Sequence, residues 1–219
     1  LSRSSAASDV YKRQYSYRSV GPAFMSGRIA DIAIDSNNEN IWYVAVGSGG
    51  VWKTKNAGTT WMPLTDNMPF YSTGSITIDP NDSSRIWVGT GENVAGRHVG
   101  IGHGIYLSKD SGSTWDDMGL NKSEHISKII VHPDNSNIIW VASQGPLWNS
   151  GGDRGLFMST DGGNTWSNKL YVNEWTGVTD IVIDQLNPDI LYAATWQRHR
   201  NVASYMGGGP GTSIYKSTD

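Results

Sequence analysis

Three acidic residues lie where carboxylates could cleave a glycosidic bond. Glu92, Asp153 and Glu174 each fall in a polar stretch between apolar runs of β-type residues. A glycosidase needs two carboxylates across a cleft, about 5 Å apart for retention of configuration or about 6.5–9.5 Å apart for inversion. We therefore take these three residues as the candidate catalytic carboxylates, with the roles of acid and base left open.

The same polar stretches carry side chains suited to ligand binding. Aromatic rings can stack on the C–H faces of sugars, while Arg and Asn can hydrogen bond to hydroxyl groups, and the same set equally suits a peptide. For any single residue, a hydrogen bond that stabilises a loop is the alternative role. The candidate ligand-binding residues are Arg28, Asn93, Arg97, His98, His125, Trp148, Arg154, Trp175, Trp196, Arg198, His199 and Arg200.

Metal and cofactor chemistry has little support in the sequence. The chain has no cysteine and five histidines, and these histidines lie in separate segments without metal-ligand spacing. We predict no catalytic metal and no cofactor.

Composition limits the partners and the location of the protein. The net charge of -3 disfavours binding to nucleic acid, whose phosphates attract the opposite sign. The sequence has no apolar run near the roughly 20 residues that span a bilayer, so no transmembrane segment is predicted. The expected location is secreted, periplasmic or at the cell surface, although no signal peptide is visible.

A short pattern occurs four times and organises the whole chain. Copies begin at residues 54, 108, 159 and 217, about 50 residues apart, which indicates a repeat protein. In each copy, Asp or Asn is expected to cap a tight turn, Gly to supply a positive φ, and Trp to pack between units. Since Asn56 replaces Asp in the first copy, the pattern favours a structural role. The residues of the pattern are Asn56, Trp61, Asp110, Trp115, Asp161, Trp166 and Asp219.

The elements around each copy predict an all-β fold. Each unit has four short strands rich in β-branched and aromatic residues, which we label A to D in chain order, and no helical periodicity. Four strands per unit of about 50 residues are typical of a β-propeller with four-stranded antiparallel blades. We interpret the chain as a fragment of about four blades of a larger ring, with the remaining blades of the same chain as partners.

The predicted organisation has a leader and a partial propeller. Residues 1–14 match nothing in the repeats and are interpreted as a non-native, adapter-derived segment, and residues 15–219 as the propeller. The expected parts are an orphan D strand at about 15–22, blade 1 at about 28–66, blade 2 at about 74–120, blade 3 at about 125–171 and an incomplete blade 4 at about 177–219.

The strand order predicts which face of the propeller binds a ligand. The B–C loops and D–A connections should share one face, opposite the C–D turns that carry the repeated pattern. The B–C loop of blade 1 has four residues, whereas those of the later blades are far longer. Long loops on a rigid scaffold usually hold the binding site, and the candidate residues lie in these segments.

The repeated pattern resembles the Asp-box, or BNR repeat, of sialidases, two-propeller xyloglucanases and sortilin-type propellers. The stretches VAVGSGGVWKTKNAGTTW, GTGENVAGRHVG and SEHISKIIVHPDNS are similar to bacterial proteins with sortilin-like propellers, which are often labelled glycosyl hydrolases. This resemblance implies an extracytoplasmic binding scaffold for a peptide or glycan.

The resemblance also bears on catalysis. In the xyloglucanases, a catalytic Asp follows strand B of the first blade, and the matching position here is Gly47. That mechanism is therefore expected to be absent, and the Arg triad of sialidases has no matching context. The first hypothesis is a binding propeller without established catalysis. The alternatives are a glycoside hydrolase with part of its active site in other blades, and a structural assembly module.

Overall fold

A computed structural model describes residues 27–184 and 186–217. The predicted leader, the orphan strand at 15–22 and Asp219 lie outside these residues. The described part of the chain is all-β, without a helix.

Successive segments of the chain form separate antiparallel sheets, in which strands neighbour one another in chain order. The first sheet contains β1 (Ile29–Ile34), β2 (Trp42–Val46), β3 (Gly50–Thr54) and β4 (Met62–Pro63). The second contains β5 (Thr73–Asp79), β6 (Asp82–Thr90), β7 (Ile105–Ser108) and β8 (Asp116–Asp117). The third contains β9 (Ile126–His132), β10 (Asn135–Ser143), β11 (Gly155–Ser159) and β12 (Ser167–Leu170).

The fourth sheet contains three described strands and an inserted hairpin. Strands β13 (Thr176–Ile183) and β14 (Leu191–Gln197) pair with each other, and β14 also pairs with β17 (Ser213–Ser217). The hairpin of β15 (His199–Arg200) and β16 (Tyr205–Met206) stands in the loop between β14 and β17.

Apolar side chains pack face to face between consecutive sheets. One cluster joins the first and second sheets, with Tyr43 and Ile86 almost completely buried. A second cluster joins the second and third sheets around Trp87, and a third joins the third and fourth sheets around Ile181. The first strands also contact one another in sequence, β1 with β5, β5 with β9 and β9 with β13. This radial stacking confirms the predicted β-propeller fold, while the boundaries of the units as domains stay a prediction.

The repeated pattern forms a compact turn between the third and fourth strands. In the second copy, the Ser108 hydroxyl donates to Asp110 Oδ1 at 2.8 Å, and the Thr114 hydroxyl donates to Asp110 Oδ2 at 2.6 Å. Ser111 and Gly112 complete the turn with φ of 59° and 93°. The first copy uses the Asn56 amide oxygen in the same way, accepting from the Thr60 backbone N–H at 2.9 Å. A carboxylate is therefore not required for this turn.

Two of the tryptophans that end the pattern, Trp115 and Trp166, pack between sheets. Trp166 lies edge-on to Trp87, with ring centroids 6.5 Å apart, and its indole N–H donates to the Met118 carbonyl at 2.7 Å. Trp115 packs in the same way against the cluster between the first and second sheets. The second and third copies thus contribute an aromatic side chain that fixes their sheet to the preceding one, whereas Trp61 of the first copy packs edge-on against Trp42 of its own sheet.

These turns predict a specific response to acid. Hydrogen bonds from Thr114 and Ser108 lower the pKa of Asp110 to about 2, and those from Thr165 and Ser159 lower the pKa of Asp161 to about 2. Since the folded-state pKa lies below the usual value, the stabilisation is present above about pH 4 and is lost as the pH falls through about 2. The double variant Asp110→Asn, Asp161→Asn should therefore lose less stability than wild type between pH 4 and pH 2. Thermal unfolding at both pH values checks this, and equal losses would refute it.

Candidate functional site on the long-loop face

Backbone hydrogen bonds show which connections share a face. The Gly47 N–H donates to the Arg28 carbonyl at 2.7 Å, so the B–C loop of the first sheet adjoins the segment that precedes its first strand. The equivalent bonds in the later sheets run from Gly91 to Ser72, from Gln144 to His125 and from Arg198 to Trp175.

At the other end of the sheets, the repeated turns bond to the A–B turn or to the start of strand B, from Ala57 to Asn40, Ser111 to Ser84 and Gly162 to Asn137. The structure therefore separates the two sets of connections as the strand order predicts. We call the first set the long-loop face, which comprises the B–C loops 47–50, 91–104, 144–154 and 198–212 and the D–A connections 64–72, 118–125 and 171–175.

Glu92 is the candidate carboxylate nearest to the first sheet. Its side chain is 2% exposed and forms an ion pair with Arg28, whose side chain is 49% exposed. The Glu92 carboxylate lies directly against Gly47, where an added Cβ would overlap Oε1 and Cδ. The second sheet thus supplies a carboxylate to the space that a side chain at position 47 would fill. This juxtaposition of residues 45 positions apart was not visible in the sequence.

The other two candidate carboxylates lie beside the third sheet. Asp153 is partly buried, and its Oδ2 accepts a hydrogen bond from the Lys122 backbone N–H at 2.9 Å. Glu174 is exposed, and its backbone carbonyl accepts a bond from the Gly151 N–H at 2.8 Å. Asp153 therefore has a local structural partner, whereas the Glu174 side chain faces solvent.

Arg154 binds the backbone of its own loop. It is 1% exposed, and its guanidinium donates to the carbonyls of Gln144 at 2.7 Å, Pro146 at 2.5 Å and Asn149 at 3.2 Å. Burial lowers its pKa to about 10, so it remains charged at neutral pH. Its hydrogen bonds are made to the protein itself. Arg154 therefore has the loop-stabilising role that is the alternative to ligand binding for each candidate residue.

Three more arginines connect the second and fourth sheets across the third. Arg198 is fully buried and donates to the Val94 carbonyl at 3.3 Å, and Arg200 donates twice to the Ala95 carbonyl, at 3.1 and 2.8 Å. In the opposite direction, Arg97 donates to the Val202 carbonyl at 3.0 Å. The B–C loops 91–104 and 198–212 are therefore joined into one layer.

His125 lies beneath this layer. It is fully buried, and burial together with the positive charge of Arg198 lowers its pKa to about 3, so it is neutral at physiological pH. Burial raises the pKa of the adjacent Glu124, against the opposing effect of Arg154 and Arg198. Gln144, which the sequence did not suggest, is buried and hydrogen bonds to Asn93.

The aromatic candidates Trp148, Trp175 and Trp196 are partly buried. Trp175 contacts His199 with ring centroids 4.1 Å apart. Trp196 lies edge-on to Tyr205, and its indole N–H donates to the Gly207 carbonyl at 3.0 Å. Trp148 is also partly buried, whereas His98 is exposed. The rings are held in place by these contacts while part of each remains accessible.

Sheets stacked around an axis, repeated turns on one face and long loops on the other define the class as an Asp-box β-propeller. Residues 49–180, more than half of the chain, match the family model described as "Sortilin, neurotensin receptor 3". The chain belongs to this sortilin family, in agreement with the sortilin-like resemblance of its sequence.

Similarity to individual proteins extends to xyloglucanases. The chain is 25% identical over 158 residues to an oligoxyloglucan-reducing end-specific xyloglucanase from Emericella nidulans, covering 65% of this chain and 18% of that protein. It is 26% identical over 223 residues to a xyloglucanase from Acetivibrio thermocellus, covering 91% of this chain and 25% of that protein. The chain thus spans about a quarter or less of the length of these relatives.

Solved structures support the same fold. The crystal structure of a GH74 enzyme from Niastella koreensis superposes with a TM-score of 0.61 at 20% identity, covering 86% of this chain and 28% of that one. At this identity, the match bears on the fold alone. In residues 27–184 and 186–217, no helix is long and apolar enough to cross a membrane.

Proposed function

We propose that the protein is an extracellular glycoside hydrolase acting on a xyloglucan-type polysaccharide, and that this chain forms part of its substrate cleft on the long-loop face. The similarity to xyloglucanases supports the class of substrate. Xyloglucan-type polysaccharides are found outside cells, which agrees with the expected secreted, periplasmic or cell-surface location of the protein.

The observation that carries this proposal is the position of the Glu92 carboxylate. The resemblance to xyloglucanases places a catalytic carboxylate at position 47, which is Gly in this chain. Glu92 brings a carboxylate from the neighbouring sheet into the same space, against Gly47 and paired with Arg28. A carboxylate beside a half-exposed Arg can act as the base that activates water or as the nucleophile at the sugar carbon, and Arg28 would hold it in place.

Cleavage also requires a second carboxylate across the cleft. Glu174 is the better candidate of the remaining two, because its side chain is exposed while the Asp153 carboxylate accepts a backbone hydrogen bond. The second carboxylate can equally be supplied by another part of a longer protein, because the relatives are about four times longer than this chain.

A propeller that binds a glycan or peptide without cleaving it is the second candidate. The burial of Glu92 favours it, since a carboxylate that is 2% exposed and ion-paired is poorly accessible to a substrate. Three guanidinium groups also donate to loop carbonyls, those of Arg154, Arg198 and Arg200. These bonds fix the loops, which suits a rigid recognition surface.

Incubation of the full-length protein with a panel of polysaccharides distinguishes the two candidates. The proposed function predicts that new reducing ends appear with xyloglucan and that few appear with cellulose or with starch. Xyloglucan binding without any new reducing ends would favour the non-catalytic scaffold. Binding to peptides and to no glycan would contradict the proposed function.

A further inference from the structure

A small open pocket lies on the long-loop face beside the shortest B–C loop. Its volume is about 320 Å³, and Gly49, Gly50, Asp66, Met68 and Tyr71 are among the residues that line it. The loop 47–50 contains three glycines and one serine, so it covers little of the surface. The long loops of the later sheets have no counterpart here, which leaves the D–A connection 64–72 accessible.

Tyr71 projects from a backbone that is fixed on both sides. Its carbonyl accepts hydrogen bonds from the Gly49 N–H at 3.1 Å and the Gly50 N–H at 3.0 Å. Phe70 is buried against Tyr106, with ring centroids 4.5 Å apart, and the Ser72 hydroxyl donates to the Gly47 carbonyl at 2.7 Å. Tyr71 itself is 66% exposed. A large aromatic side chain is thus held in solvent by a rigid segment.

The chemistry of the pocket favours a neutral ligand rich in hydroxyl groups. Of the charged residue types, the described lining contains the carboxylate of Asp66 and neither Lys nor Arg. An anionic ligand would gain nothing there, whereas hydroxyl groups can donate to Asp66 and a sugar ring can place its C–H face on Tyr71.

The pocket is also close to Glu92. Gly47, which contacts the Glu92 carboxylate, and Gly50, which lines the pocket, are three positions apart in the chain, so their Cα atoms are at most about 11 Å apart. The four-residue loop therefore links the pocket to the position of the Glu92 carboxylate.

We propose that Tyr71 and Asp66 form a sugar-binding subsite in which one pyranose ring of a neutral polysaccharide stacks on the Tyr71 ring. This inference rests on the proposed function, because it places a further contact for the same substrate next to Glu92. Tyr71 supplies binding and does not take part in bond cleavage.

Affinity electrophoresis of the full-length protein in gels containing xyloglucan tests the subsite. The variant Tyr71→Ala should weaken binding about tenfold, the loss expected for one aromatic stacking contact, and Tyr71→Phe should stay within about twofold because the ring is kept. A control is Met62→Ala, which removes an apolar side chain that is 47% exposed in β4, next to the repeated turn and away from the long-loop face, and that does not line the pocket.

The outcomes separate this inference from the proposed function. If wild type binds and cleaves xyloglucan but Tyr71→Ala binds equally well, the subsite is refuted and the proposed function stands. If wild type neither binds nor cleaves any polysaccharide, both are refuted. Equal weakening by Tyr71→Ala and Met62→Ala would also overturn the inference, as would loss of binding in Tyr71→Phe. Because the side chain is exposed, all three variants should melt near the wild-type temperature, which excludes unfolding as the cause.

Discussion

Replacement of Glu92 by Gln in the full-length protein is expected to lower kcat for xyloglucan by about 10²–10⁴-fold, the range for loss of an acid or base. Gln has nearly the same shape as Glu, so it can keep the contact with Gly47, but it cannot carry the charge or exchange a proton. Binding of the polysaccharide should stay within about threefold of wild type. A fall in kcat without a matching rise in KM would locate the effect in the transition state.

The control for this variant is Asp116→Asn, which also exchanges a carboxylate for an amide. Asp116 is exposed and forms a surface ion pair with Lys109 at 3.0 Å, at the edge of the second sheet. It should keep full activity. Loss of the ion pair with Arg28 should cost Glu92→Gln little stability, because Arg28 is half-exposed and can be solvated. If Glu92→Gln keeps wild-type kcat, Glu92 is not a catalytic residue.

Replacement of Arg154 by Met is expected to lower the free energy of unfolding by about 1.5–3 kcal/mol, the cost of losing hydrogen bonds from a charged group and leaving buried carbonyls without a donor. Arg154 is 1% exposed, and its loss would leave several carbonyls of the loop 144–154 without a donor. Met fills a similar volume but donates no hydrogen bond. Urea denaturation followed by tryptophan fluorescence measures the change.

The matched control is Lys109→Met, which removes a cation from a solvent-exposed pair and should cost less than about 1 kcal/mol. A loss below 1 kcal/mol for Arg154→Met would show that the carbonyls find other partners. The arginine would then not be the element that fixes this loop, and a direct role in ligand binding would regain support.

The fold was accessible from the sequence because its signals are local and repeated. Ser108, Asp110 and Gly112 specify one turn within five residues, and the same spacing recurs at 54 and 159. Alternating β-branched residues then identify the strands on either side. Packing between sheets follows from that repetition, since the faces of neighbouring units meet in the same way.

The site was only partly accessible because its contacts join distant parts of the chain. The sequence identified Glu92, Arg28 and Arg198 as polar loop residues, but their partners lie 64 or more positions away or are backbone carbonyls, such as that of Val94. The pocket at Tyr71 depends on the shortness of the loop 47–50, whereas the sequence pointed to the long loops of the later blades. The long-range contacts and the pocket both depend on how the loops fold, which the amino-acid composition does not reveal.

Hydrogen–deuterium exchange of the full-length protein, with and without a xyloglucan oligosaccharide, tests whether the substrate binds on the long-loop face. Exchange should be slower in segments 47–50, 66–72 and 91–104 when the oligosaccharide is bound, and unchanged in the repeated turns at 54–61, 108–115 and 159–166. Protection of those turns instead, or no protection on the long-loop face despite binding, would contradict binding at that face.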